Sequence, residues 1–513
     1  MGANRMSVFP LLDRSVDVPC LSRRRLLGGA LASASLGPGL FSAVNAQGTR
    51  ALVFTHTTIV TNDPDWTEYR DFALAVENGR IAAIGPTDAL LAQFPGAETY
   101  DGRGKALLPG LINCHAHLTA TLERGFNEDF GFPNSYTLPV SVRSQISSEE
   151  NGLMAVIGAL ESIRAGVTTV VQNSGGVGPY AGELAKTGLR WVFAESVRDR
   201  TNGNGPMSPA TLAASEAPVY SAQLREEGMQ RIADLHASWH GFQDGRISVF
   251  PAAALAEDTS PELMNAVRAF AESHDLNYTV HLNQSIAEVD FMLRYHGLRP
   301  TEFLHRHEFL GPRLFAAHCR YMSDNEVALI GSTRSMVTHQ AAMAGNRGVN
   351  PPIPQLRAAG ATIVQGTDNN NNDMLTVMRT AMLLERIARN DDIPGLIPQP
   401  EQMLQDAAMG GAMAVRQASD IGSLEVGKKA DLIVLDAMKP HMTPGGRVLS
   451  TWIHNGHGSD VESMMVDGEF IMRDRRILTV DEAALVAEAD KVSQRVWGRV
   501  LESGPLVLPR ERI

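Results

Sequence analysis

Cysteine is nearly missing from this chain. Three occur in 513 residues, and Cys20 falls in an N-terminal stretch set apart below. Cys114 and Cys319 alone make no disulfide framework. Basic clusters are scarce too: net charge is −12, and no long Lys/Arg run stands outside the first residues. That argues against a phosphate-backbone partner, so no nucleic acid is expected. Solenoid-type repeats are also lacking. What is there is 44% hydrophobic and 20% charged, an ordinary globular composition with enough length for a large core.

Residues 1–46 look like an export leader. Ser22-Arg23-Arg24-Arg25-Leu26-Leu27 resembles a twin-arginine motif, and Val44-Asn45-Ala46 supplies the small residues a signal peptidase needs. Its apolar part is interrupted by Gly37-Pro38-Gly39, too weak for a membrane span. A periplasmic or secreted protein is therefore expected, with no membrane partner in the mature form.

Beyond the leader, one grammar recurs. Ser147 and Glu150 have capping-box spacing, and Leu153, Val156, Ile157, Leu160 and Ile163 then make one helical apolar face. Gly166 ends that helix, and 167-VTTVV-171 reads as a buried strand. The pattern returns at 275–284, 312–320 and 354–369. Apolar strands alternating with amphipathic helices predict an α/β fold with a parallel sheet, closed as a (β/α)8 barrel over 109–420. The flanks, 47–108 and 421–513, carry strand patterns around Glu77-Asn78-Gly79-Arg80 and Val466-Asp467-Gly468-Glu469. They are expected to assemble one small composite β-sandwich from both chain ends, with a last helix near 481–502 on the outside.

Chemistry concentrates at predicted strand ends, where such a barrel places its active site. In 107-LLPGLINCHAHL-118, His115 and His117 sit at i and i+2 of a strand and so share a face. Two neutral imidazoles there can chelate a divalent metal. His305 and His307 have the same spacing, but the surrounding residues look helical. Their side chains would diverge by roughly 200° and remain surface groups. His281, His318 and Asp368 each end another apolar strand run. Converging without a cation, these groups would be buried and unpartnered at about 1–3 kcal/mol each. Cys114 and Cys319 face the other way and read as core packing.

The stretches 108-LPGLINCHAHL-118, 166-GVTTVV-171, 281-HLNQSIAEV-289, 310-LGPRLFAAHC-319, 366-GTDNNNND-373 and 421-IGSLEVGKKADLIVLD-436 together resemble the amidohydrolase superfamily. The likeness is to its triazine hydrolase and cytosine deaminase branch, and it runs in order over nearly the whole mature chain. It implies a metal-dependent hydrolase in which His115, His117, His281 and Asp368 bind one divalent ion. His318 would stand beside the attacking water and the substrate. Zn is the expected ion, with Fe(II) compatible with the same donors. The carboxylated lysine that bridges two metals in other members has no counterpart in 246–257 or 166–176, so a mononuclear site is expected. In the mechanism this implies, Asp368 and His318 are catalytic. Asp368 takes a proton from the metal-activated water and passes it to the leaving group.

One departure matters. Deaminases of the branch carry His-x-x-Glu where this chain has His281-Leu282-Asn283-Gln284, and glutamine cannot shuttle a proton. The expected substrate is accordingly a small-molecule amide, aryl urea, carbamate or cyclic amide. Deamination or hydrolytic dehalogenation of an N-heterocycle is the alternative, with a non-catalytic scaffold as the remote one. Glu288, one helical turn on, is a weak substitute for the missing acid. Gln284, His339 and His318 are candidate substrate contacts. Asn369–Asn372 reads as a solvated loop, Met343 and Met374 as core, and 126–144 as a pocket-shaping loop. A homo-oligomer is expected.

Overall fold

The computed structural model describes residues 51–130, 138–203, 212–369, 371–390 and 397–507. The expected leader lies outside the described residues, as does the centre of the 126–144 loop. Two sheets organise the rest.

The first sheet is an eight-stranded parallel one. Its strands, in chain order, are β6 (Leu111–Ala116), β7 (Val167–Ser174), β8 (Arg190–Val197), β9 (Ile247–Leu255), β10 (Tyr278–Leu282), β11 (Leu314–His318), β12 (Met336–His339) and β13 (Thr362–Gln365). Each pairs with its sequence neighbour. Closure comes from the segment after β13: Asp368 N–H donates to the His115 carbonyl at 2.9 Å, and His117 N–H to the Asp368 carbonyl at 3.0 Å. The ring is thus a (β/α)8 barrel, with helices between successive strands. β6, β7 and β8 are buried along almost their whole length, which explains their continuous apolar runs.

The helix Ser148–Arg164 shows why local sequence predicts local structure here. Ser147 and Glu150 form the expected capping box, satisfying two otherwise orphaned N–H groups. Gly166 then adopts φ 82° before β7 begins. In the left-handed region a glycine carries no Cβ penalty.

The second sheet has nine strands drawn from both flanks. These are β1 (Leu52–Val60), β2 (Glu68–Glu77), β3 (Arg80–Pro86), β4 (Glu98–Asp101), β5 (Lys105–Pro109), β14 (Leu432–Asp436), β15 (Val461–Val466), β16 (Glu469–Arg473) and β17 (Arg476–Ile477). β5 is the join: it pairs with β1 on one side and antiparallel with β14 on the other. β1 pairs with β4 through Thr55 and with β5 from Thr58, and its pairing to β2 shifts register between Phe54 and Thr57. Such a bulge bends a sheet. The sheet has its own apolar cluster, including Phe54, Leu74, Ile81, Leu432 and Met465.

The two hairpins read from sequence, β2–β3 and β15–β16, meet at their tips. A Cβ on Gly79 would lie 2.8 Å from the Asp467 carbonyl oxygen, so only glycine fits there. Beside them Arg190, fully buried at the start of β8, makes two hydrogen bonds to Asp431, at 2.9 and 3.0 Å, and one to Asp467 at 2.5 Å. The last helix runs Glu482–Glu502 with Asp481 as its cap, as the sequence suggested.

Candidate metal centre and active site

At the carboxyl end of the barrel strands, five side chains from four strand ends converge. His115, next to last on β6, has no exposed surface, and His117 follows the strand. His281 lies on β10, His318 ends β11, and Asp368 follows β13. Ring centroids of neighbouring imidazoles stand 4.8–5.6 Å apart. An Asp368 carboxylate oxygen lies 3.4 Å from His117 Nε2 and 3.9 Å from His115 Nε2. His318 and Asp368 both take positive φ, 76° and 62°. Such strain in non-glycine residues collects at functional sites.

The donor atoms are pre-aimed. His117 Nδ1–H donates to the Asn173 carbonyl at 2.6 Å, and His281 Nδ1–H to the Ala254 carbonyl at 2.5 Å. Those bonds fix the tautomer and leave both Nε2 lone pairs facing each other at 3.2 Å. Two nitrogens at ~2.0–2.1 Å from one ion would subtend roughly 100° at that separation. Without a cation the two lone pairs only repel. His115 Nε2 and both His318 ring nitrogens are buried with no hydrogen-bond partner, a costly state unless a ligand completes it. The residues present therefore fit a divalent metal.

Burial keeps these imidazoles neutral, as ligands must be. His117 and His281 are each pushed down to about 4, chiefly by burial. His115 and His318 lie well below the usual histidine range for the same reason, with the neighbouring imidazoles adding to it. Burial raises the Asp368 carboxyl despite the opposing pull of His281, Arg347 and Arg320. A cavity of about 710 Å³ opens above His117, His281 and Asp368. Gln284, Asn369, Arg143 and Arg198 are among the residues on its walls.

Other predicted residues separate cleanly. Gln284 reaches the cavity, and its Oε1 is buried without a partner. Glu288 does not line it. Its carboxylate caps the helix Ile286–His296 and accepts N–H bonds from Asn283 at 2.8 Å and Gln284 at 2.5 Å. His339, a candidate substrate contact, is placed elsewhere: it is buried, bonded to Asn350 Oδ1 at 2.9 Å, and absent from the cavity wall. His318 too sits beneath the wall rather than on it. Asn372 corrects the solvated-loop expectation. It is 2% exposed because Thr367 and Glu161 supply it with partners at 3.3 and 3.0 Å. His305 is exposed on the helix Pro300–Arg306, and His307 packs its ring on Phe303 at 4.6 Å. Cys114 and Cys319 are buried and free in the layer between strands and helices. Met343 and Met374 are buried and off the cavity wall.

Sequence reasoning missed a set of buried amides that tie the strand ends together. Asn113 Oδ1 accepts from His115 N at 3.3 Å and Thr367 N at 3.1 Å. Gln172 Oε1 takes Leu118 N–H at 3.0 Å, and Gln340 Oε1 takes His318 N–H at 3.0 Å. The signal available was weak: each is a polar residue within or next to an otherwise apolar strand.

Comparison with known proteins agrees with this fold. The amidohydrolase family model matches residues 106–471. The model of a bacterial imidazolonepropionase-like composite domain matches residues 73–97, within the mixed sheet and the helix after β3. A 5-methylthioadenosine/S-adenosylhomocysteine deaminase of Syntrophobacter fumaroxidans is 31% identical, over 87% of this chain and 96% of its own. A 5'-deoxyadenosine deaminase of Methanothermobacter thermautotrophicus is 29% identical, over 83% and 95%. Among solved structures, an adenosine deaminase from Xanthomonas campestris with bound zinc superposes with TM-score 0.76 at 26% identity, covering 87% of this chain and 98% of that one. A triazine hydrolase from Arthrobacter aurescens shares the fold, with TM-score 0.75 at 20% identity over 86% and 99%. The five converged side chains thus sit in a barrel that many relatives share, and the chain belongs to the amidohydrolase family.

Proposed function

We propose that the chain is a mononuclear metal-dependent hydrolase that cleaves a carbon–nitrogen bond at an sp2 carbon of a small molecule. An amide, an aryl urea or carbamate, or a cyclic amide is the substrate class. The observation that carries this reading is the pair of Nε2 lone pairs 3.2 Å apart, each fixed by a backbone carbonyl behind it. His115, His117, His281 and Asp368 would hold the ion. Nitrogen and oxygen donors suit zinc, and Fe(II) fits the same set. When bound, the ion supplies Lewis acidity toward water and toward the electrophilic carbon.

The side chains do the rest. Asp368 accepts the attacking water's proton and returns it to the departing nitrogen, a role that its place on the cavity wall suits. His318, held by Gln340 through its backbone N–H, would reach from beneath the cavity wall to steady the attacking water's oxygen. Gln284 offers an amide to the substrate but no transferable proton. Glu288 cannot replace the missing acid, because three backbone N–H groups already occupy its carboxylate. That supports hydrolysis of a bond whose leaving group Asp368 alone can protonate.

A second reading has its own support: the relatives named above are deaminases of adenosine analogues. A metal-reconstituted assay against anilides, aryl ureas, cyclic amides and aminoheterocycles separates the two. Release of an amine is expected, whereas efficient release of ammonia from an aminoheterocycle would transfer the proposal to deamination. Full activity after complete chelation would remove both. The twin-arginine-like leader supports export to the periplasm or beyond, which fractionation of the native host would test.

A further inference from the structure

Asp368 directly follows Thr367, a member of a buried polar chain that no catalytic step uses. Asn113 Nδ2–H donates to Thr367 Oγ1 at 2.8 Å, and Thr367 Oγ1–H donates to Asn372 Oδ1 at 3.3 Å. Asn372 Nδ2–H then donates to Glu161 Oε2 at 3.0 Å, and the same carboxylate oxygen pairs with Arg124. Asn113 and Thr367 have no exposed surface, and Asn372 is 2% exposed. The chain therefore crosses the closing seam of the barrel: from β6, through the two residues flanking the turn at Asp368, to the helix Ser148–Arg164. Every bond in it points one way, so each polarises the next.

This seam is where an anchor is most needed. Asp368 is held at φ 62°, in a region a non-glycine residue leaves unless its neighbours fix it. Thr367 fixes it from one side through Asn113, which also receives the His115 N–H. Asn372 fixes it from the other, and closes a loop that carries Asn369 into the cavity wall. We propose that Asn372 and Glu161 are positioning residues for Asp368, a strap that holds the carboxylate in register with His115 and His117. The inference rests on the metal reading above, and the strap itself is a property of the chain alone. Glu161 is 29% exposed in its side chain, so it can be replaced without opening the core.

The test compares Glu161→Leu and Asn372→Ala with Glu161→Gln, which keeps an acceptor for Asn372. Metal release from the loaded enzyme into excess chelator is followed together with hydrogen–deuterium exchange over residues 366–373. Leucine and alanine should speed metal release about tenfold, as loss of a supporting partner does. They should deprotect 366–373 and lower kcat with KM unchanged, while glutamine behaves as wild type. Wild-type release and exchange in both Glu161→Leu and Asn372→Ala would overturn the strap. If Asn372→Ala fails to fold, the Leu/Gln pair at Glu161 decides. A wild-type protein that retains no metal would instead sink the metal reading. Exchange at 366–373 would then still judge the strap.

Discussion

His115-Ala116-His117 and His305-Arg306-His307 have the same spacing and opposite fates. On β6 the backbone alternates faces, so both imidazoles enter the barrel and meet His281 and Asp368. At the end of the helix Pro300–Arg306 the same spacing turns most of the way round. His305 goes to solvent, and His307 packs on Phe303. A histidine pair is therefore a metal motif only through the period of the backbone beneath it. Burial completes the contrast, since removing water is what keeps His115 and His117 neutral.

The sharpest way to break that contrast is to truncate both pairs. His115→Ala or His117→Ala should lower activity on the order of 10³-fold or more and strip metal from the purified protein. His305→Ala should leave metal content and activity intact, with stability within about 0.5 kcal/mol. Elemental analysis and the hydrolysis assay check both. Next, Asp368→Asn keeps an oxygen donor but no proton acceptor, and kcat should fall about 10²–10⁴-fold. A variant with undiminished kcat would take the proton transfer away from Asp368.

pH sharpens the comparison in the metal-free chain. His117 and His281 sit at about 4 when folded, against the ordinary 6.5. The unfolded chain therefore binds more protons between those values. The contribution of these two imidazoles is complete above 6.5 and falls as pH drops toward 4, by up to ~1.4 kcal/mol per pH unit for each. Glu288, raised to about 7 by burial, acts in the opposite sense. Denaturant melts across that window should show the imidazole slope, and loading with metal, which needs the same neutral imidazoles, should raise stability without flattening it. At Gln284, substitution by Glu should leave amide or urea hydrolysis intact or weaken it several-fold, judged by amine release. A large gain there would mean the hydrolysis wants a proton shuttle after all. As at His305, no effect on activity is expected at His339. Its replacement by Ala loses the Asn350 bond and costs about 1–3 kcal/mol of stability, with kcat unchanged.

Much of this was legible in the residues because the relevant physics is local. The capping box at Ser147 and Glu150, the Gly166 stop and the β7 run each declare themselves within a few positions. The five converging side chains were legible because a polar residue ending an apolar strand run is conspicuous. What escaped was non-local or chemically mute. The carbonyls of Asn173 and Ala254, which orient His117 and His281, leave no trace in side-chain identity. Asn372 looked solvated because its partner Glu161 lies 211 residues away. Glu288 is the exception: Ser285 and Glu288 repeat the Ser147–Glu150 spacing, so its capping duty was there to be read.

β5 lies between a strand made early and a strand made late. Residues 105–109 leave the ribosome more than three hundred positions before Leu432–Asp436, the partner that covers their outer edge. For that whole interval the growing polypeptide carries an unpaired apolar margin, the kind of surface that invites aggregation or a chaperone. A translation product halted anywhere before β14 would keep that margin exposed, even with all eight barrel strands already complete.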